Sequence, residues 1–62
     1  MKLAELIKEL EALNTEENKD LEIVIPERYG NRVEELNWIE GKQTNVSTRN
    51  YMYKALKLTM GN

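Results

Sequence analysis

The chain has 62 residues, a formal net charge of −2, no Cys and no His. That length allows one domain with a marginal core. The missing Cys and His exclude disulfides, thiolate or imidazole metal sites and imidazole catalysis.

Leu3, Leu6, Ile7, Leu10 and Leu13 fall at i, i+3, i+4, i+7 and i+10, one face of a 3.6-residue period. An amphipathic helix is therefore predicted over Met1–Leu13. Lys2, Glu5, Lys8, Glu9 and Glu11 fill its other face, and Leu, Ala, Glu and Lys are strong helix formers. Asn14 suits a left-handed helix end. Thr15–Asp20 reads as a polar connection in which Thr15 starts one short extra turn. In Leu21–Pro26, Leu21, Ile23 and Ile25 alternate with Glu22 and Val24, as in a strand rich in β-branched residues. Pro26 lacks an N–H and ends that ladder.

Glu27–Arg32 contains Gly30-Asn31, a turn signal that predicts a hairpin into the next element. Val33–Glu40 supports two readings. One is a strand with a bulge that brings Val33 and Leu36 to one face; the other is a helix through Val33, Leu36 and Ile39 stopped by Gly41. The hairpin signal favours the strand. Parity places Trp38 with Leu36, at the core or its rim. Gly41–Asn50, with its Asn, Ser and Thr, reads as an irregular loop. In Tyr51–Met60, Met52, Leu56, Leu58 and Met60 share one parity, and Tyr51, Tyr53, Ala55, Lys57 and Thr59 share the other. That is a strand whose even side faces the core.

The expected fold class is α+β, a single small domain over residues 1–62. Its N-terminal helix packs on a three-stranded antiparallel sheet (αβββ). Leu3, Leu6, Ile7, Leu10 and Leu13 would bury against Ile23, Ile25, Leu36, Leu56 and Leu58, two layers around one core. A core this small without disulfide or metal gains from a partner subunit, so a homo-oligomer is expected.

The run Leu3-Ala4-Glu5-Leu6-Ile7, Leu10, Leu13, then Asp20-Leu21-Glu22-Ile23-Val24-Ile25, resembles small accessory proteins encoded by bacteriophages and prophages. In those an "ELIxxLxxL" helix leads into a "DxEVxV" strand. The resemblance covers residues 3–36. It departs in the loop, where such proteins often carry Pro and this chain has Thr15-Glu16-Glu17-Asn18. It implies a phage-type accessory or host-modulating protein and transfers no catalytic residue.

Catalytic readings fail on inventory. Ser47 is the only Ser and has no His to activate it. Gly30, Gly41 and Gly61 are isolated, so no phosphate-binding loop is present. The acidic run Glu16, Glu17, Asp20, Glu22 lacks calcium-loop spacing. No enzyme activity, cofactor or metal is expected. No apolar run is long enough to span a membrane, and the opening lacks the pattern of a signal peptide; a cytoplasmic chain is expected, in the host cytoplasm if phage-encoded.

Charge is asymmetric: residues 1–41 hold all 11 acidic residues, whereas residues 42–62 hold four basic residues and no acid. Internal complementarity between a basic strand and an acidic helix accounts for this. Two surfaces remain. Tyr51, Tyr53, Arg49 and Lys57 belong to or adjoin the outward side of the last strand, with Trp38 as a further candidate. Tyr, Trp and Arg are typical of protein interfaces, which favours a protein partner, either a second copy or a host protein. Tyrosines on a basic strand also suit base stacking, but the overall acidity makes nucleic acid the lesser reading. A plain second sheet face accounts for the tyrosines without any partner. The acidic face of Glu5, Glu9, Glu11, Glu16, Glu17 and Asp20 is either solvated helix or an imitation of a nucleic-acid backbone.

Overall fold

The computed structural model describes residues 1–27 and 33–62. Helix α1 spans Leu3–Leu13, and the strands are β1 (Glu22–Val24), β2 (Trp38–Ser47) and β3 (Met52–Gly61). The α+β class and the αβββ order hold. The all-antiparallel sheet does not: the strand order is β1-β3-β2, with β2 antiparallel to β3 and β1 parallel to it. β1 is the strand at one edge and β2 the strand at the other, with β3 between them, so β1 and β2 form no hairpin. The turn signal Gly30-Asn31 lies outside the described residues.

The strand expected over Val33–Glu40 begins only at Trp38, and β2 runs on through the segment read as an irregular loop. Neither the bulged strand nor the helical alternative describes Val33–Asn37. β2 lacks an apolar alternation because its inward positions have other tasks. Gly41 faces Leu13 of α1 so closely that a Cβ there would sit 2.8 Å from Leu13 Cδ2. The next inward residue, Gln43, donates its side-chain amide to Asn18 Oδ1 (2.9 Å) and to the Glu17 carbonyl (3.3 Å). Asn18 in turn donates to the Leu13 carbonyl at the helix end (3.0 Å), which also accepts from the Thr15 amide (2.9 Å). Asn14, at the C-cap, has φ −81° and is not left-handed. The short turn after Thr15 is present, with the Asn18 and Lys19 amides donating to the Thr15 carbonyl.

The register sorts the two sheet faces. Ile39, Gly41, Gln43, Ile23, Leu56, Leu58 and Met60 face the helix side, and Trp38, Glu40, Lys42, Thr44, Val46, Tyr53, Ala55, Lys57 and Thr59 face away. Among the described residues only Ala55 and Leu56, adjacent in the central strand, are buried hydrophobic residues. The expected burial of the whole apolar helix face is not realised. No residue of α1 is buried, Leu6 and Leu13 are half-buried, and Leu3, Ile7 and Leu10 are exposed. The reason is placement: α1 makes its closest backbone approach to the edge strand β2, and of its side chains Leu10 and Leu13 reach a groove lined also by Ile23, Leu56 and Leu58. Ile23 and Ile25 are exposed as well, and Leu36 is half-buried outside any strand.

The Leu13–Gly41 approach fixes α1 on β2. Gly41→Val is expected to cost about 1–3 kcal/mol through overpacking. Leu13→Ala in the same chain should shrink that penalty, because the space is vacated. Denaturant unfolding of the single and double variants checks this; strictly additive losses would show that the two residues do not determine each other's position.

Candidate functional site

The β2–β3 connection is a four-residue turn, Thr48-Arg49-Asn50-Tyr51, held by one side chain. The Thr48 hydroxyl donates to the Tyr51 carbonyl (2.9 Å) and accepts from the Tyr51 amide (3.2 Å), while the Thr48 amide also donates to the Tyr51 carbonyl (2.8 Å). This clamp holds Tyr51 just before β3 begins at Met52. Its ring lies beside that of Tyr53, with centroids 5.7 Å apart and planes tilted by 40°, a geometry favourable to aromatic pairs. Tyr51 is exposed and Tyr53 half-buried, and Arg49 stands exposed on the turn itself.

Further along the face turned away from α1, Lys57 lies directly opposite Lys42 across the β2–β3 pair. Both are exposed, and among the described residues neither has a carboxylate partner. Like charges in register repel, so the sheet holds an unneutralised positive spot there. The same face carries Glu22, the lateral neighbour of Ala55, and Glu40, the partner of Thr59. Asp20 and Glu22 also line, with Tyr51, Tyr53 and Lys54, a shallow hollow beside the tyrosine pair. The carboxylates thus border the aromatic end, and the lysines sit in the middle.

Trp38 closes the far end. Parity with Leu36 predicts a place at the core or its rim; because Leu36 precedes β2, that parity has no meaning in the sheet. Trp38 pairs with Gly61 on the outward face and is 46% exposed. Its indole lies flat over Gly61, where a Cβ would meet Cζ2 at 2.9 Å and Nε1 at 3.0 Å. The glycine therefore makes room for the ring.

All five candidates are accessible, and Trp38, Tyr53 and Lys57 share one face by register. They are not brought into one pocket. Trp38 and Val46, the partner of Tyr53, are eight residues apart on β2, which is about 27 Å at ordinary strand rise. Lys42 and Val46 also belong to this face, in the segment whose Asn, Ser and Thr predict a loop. The signal that locates them is the alternation Glu40, Lys42, Thr44, Val46, whose members share one parity.

Among the described residues no group of three or more acidic side chains is placed to hold a metal ion, and no helix is long and apolar enough to cross a membrane. No family model, curated protein or solved structure matches the chain.

The Thr48 clamp is open to a direct check. Thr48→Val keeps the shape and removes the hydroxyl, with an expected loss of about 0.5–1.5 kcal/mol. The near-ultraviolet dichroism of the tyrosines should change as well. Unchanged stability and an unchanged tyrosine spectrum would show that the turn holds Tyr51 without Thr48.

Proposed function

We propose that this chain is a small non-catalytic protein-binding module that docks a partner through the sheet face opposite α1. The observation that carries the reading is the distribution of aromatic residues on that face. Trp38 and the Tyr51–Tyr53 pair stand accessible at its two ends. Two aromatic anchors about 27 Å apart on a flat sheet suit an extended protein surface, not a small molecule enclosed in a cleft. Between them lie both signs of charge, Lys42 and Lys57 with Glu22 and Glu40, which supplies the polar complementarity that fixes register with a partner.

The resemblance of residues 3–36 to phage-encoded proteins supports a phage accessory or host-modulating (anti-defence) role, exercised in the host cytoplasm on a host protein. A nucleic-acid partner would draw on the Lys42–Lys57 spot and on Arg49 and Lys54. The carboxylates of Asp20 and Glu22 beside the tyrosines oppose it, since they would repel the phosphates of any strand stacked there.

Tyr53→Ala and Trp38→Ala separate these classes. For a protein partner captured by the parent chain, either change should weaken binding by about 2 kcal/mol or more, as for an interface hot spot. The parent should give no salt-sensitive shift of single-stranded DNA or RNA at micromolar concentration. Such a shift, lost on Lys57→Glu, would replace the protein-binding reading with the nucleic-acid one.

A further inference from the structure

The face that α1 only half covers is a second surface, separate from the one above. Leu3, Ile7 and Leu10, at i, i+4 and i+7, form an exposed apolar stripe along the helix (72%, 47% and 41% exposed). Leu10 also lines a groove with Leu13, Leu21, Ile23, Leu56 and Leu58. Ile25 continues the apolar surface past that groove, beside Leu58 and Met60. The groove therefore has one wall from the helix, one from β1 and a floor from β3.

Its dimensions and its chemistry point to one occupant. Two strand spacings separate β2 from β1, about 9.6 Å. Packed helices lie about 8–10 Å apart. With α1 seated over β2, the space above β1 is one helix wide. The chain exposes 5587 Å², whereas a compact monomer of its mass exposes about 4,200 Å². The excess of about 1,400 Å² exceeds the ~800 Å² each partner buries in a standard stable interface. The radius of gyration, 13.3 Å, likewise stands above the ~10.5 Å of a compact chain this long. The Cα envelope measures 38 × 32 × 11 Å, a slab that lacks part of a layer.

We propose that α1 of a second copy fills this groove. A two-fold axis parallel to the helices places them side by side between two sheets, each helix over its own β2 and the partner's β1. The interface is isologous, so each apolar stripe meets its own counterpart near the axis. From Leu13 through Leu6, Leu10 and Leu3 to Ile7 the apolar arc of α1 spans about 120°, and Ala4 extends it to about 180°. That is wider than contact with one sheet uses and matches contact with a sheet, a second helix and the opposing sheet.

The chain has no Cys, so one introduced thiol is a clean probe. Ile7→Cys, near the axis, is expected to oxidise to a disulfide-linked dimer at micromolar concentration. Tyr53→Cys, on the opposite face, is expected to stay unlinked under the same conditions. Sedimentation of the parent chain should show a monomer–dimer equilibrium, and Ile7→Lys should weaken it at least about 30-fold, the loss expected of a hot spot. Should Ile7→Lys fail to fold, the cross-linking pair still decides. A parent chain that stays monomeric up to millimolar concentration would overturn the proposal. So would a dimer that links through Tyr53→Cys and not through Ile7→Cys.

Discussion

The strand β3 is hydrogen-bonded on both edges, and every other part of the fold is placed by reference to it. β1 joins it in parallel and β2 antiparallel, so β3 alone is shielded laterally on both sides. This is why the two buried hydrophobic residues, Ala55 and Leu56, are neighbours within it. Leu56 points to the helix side and Ala55 to the outer face, where its small side chain lies hidden among larger neighbours.

The helix is the other half of the architecture, and it is displaced. Gly41 lets Leu13 come down on β2, and the Asn18–Gln43 contact ties the helix end to the same strand. With the helix held there, Leu3, Ile7 and Leu10 stay exposed. The result is a sheet with two unlike surfaces. The outer face offers aromatic and charged side chains at its ends and centre; the helix side offers a bare apolar groove. A dimer closed through the groove leaves both outer faces pointing away from each other, free for partners. Avidity then strengthens attachment to any target that presents two sites within reach.

Much of this was legible in the sequence. The helix, β1 and β3 follow from periodicities in which one face is apolar and the other is not. β2 escaped because a strand at the sheet edge needs no apolar alternation. Its inward Gly41 and Gln43 serve a close approach and a hydrogen bond, and its outward Glu40, Lys42 and Thr44 meet water. The parallel pairing of β1 escaped because pairing is decided between distant segments: β1 meets β3, about thirty residues on, and not the next strand. Trp38 was misplaced by one local inference, parity with Leu36, which fails because the strand begins after that residue. Tyr53 and Lys57 could be read because side chains alternate along β3, whereas Arg49 and Tyr51 belong to the turn before it.

The central claim is that one sheet with a half-covering helix is completed by a second copy. Amide hydrogen exchange at increasing protein concentration tests it directly, because binding of a partner to the native chain raises the free energy of opening by mass action. Protection of the β3 amides, and of α1 around Ile7, should rise as concentration increases from micromolar to millimolar. Protection that stays constant over that range, with β3 already fully protected at the lowest concentration, would contradict the account and leave the single chain as a complete domain.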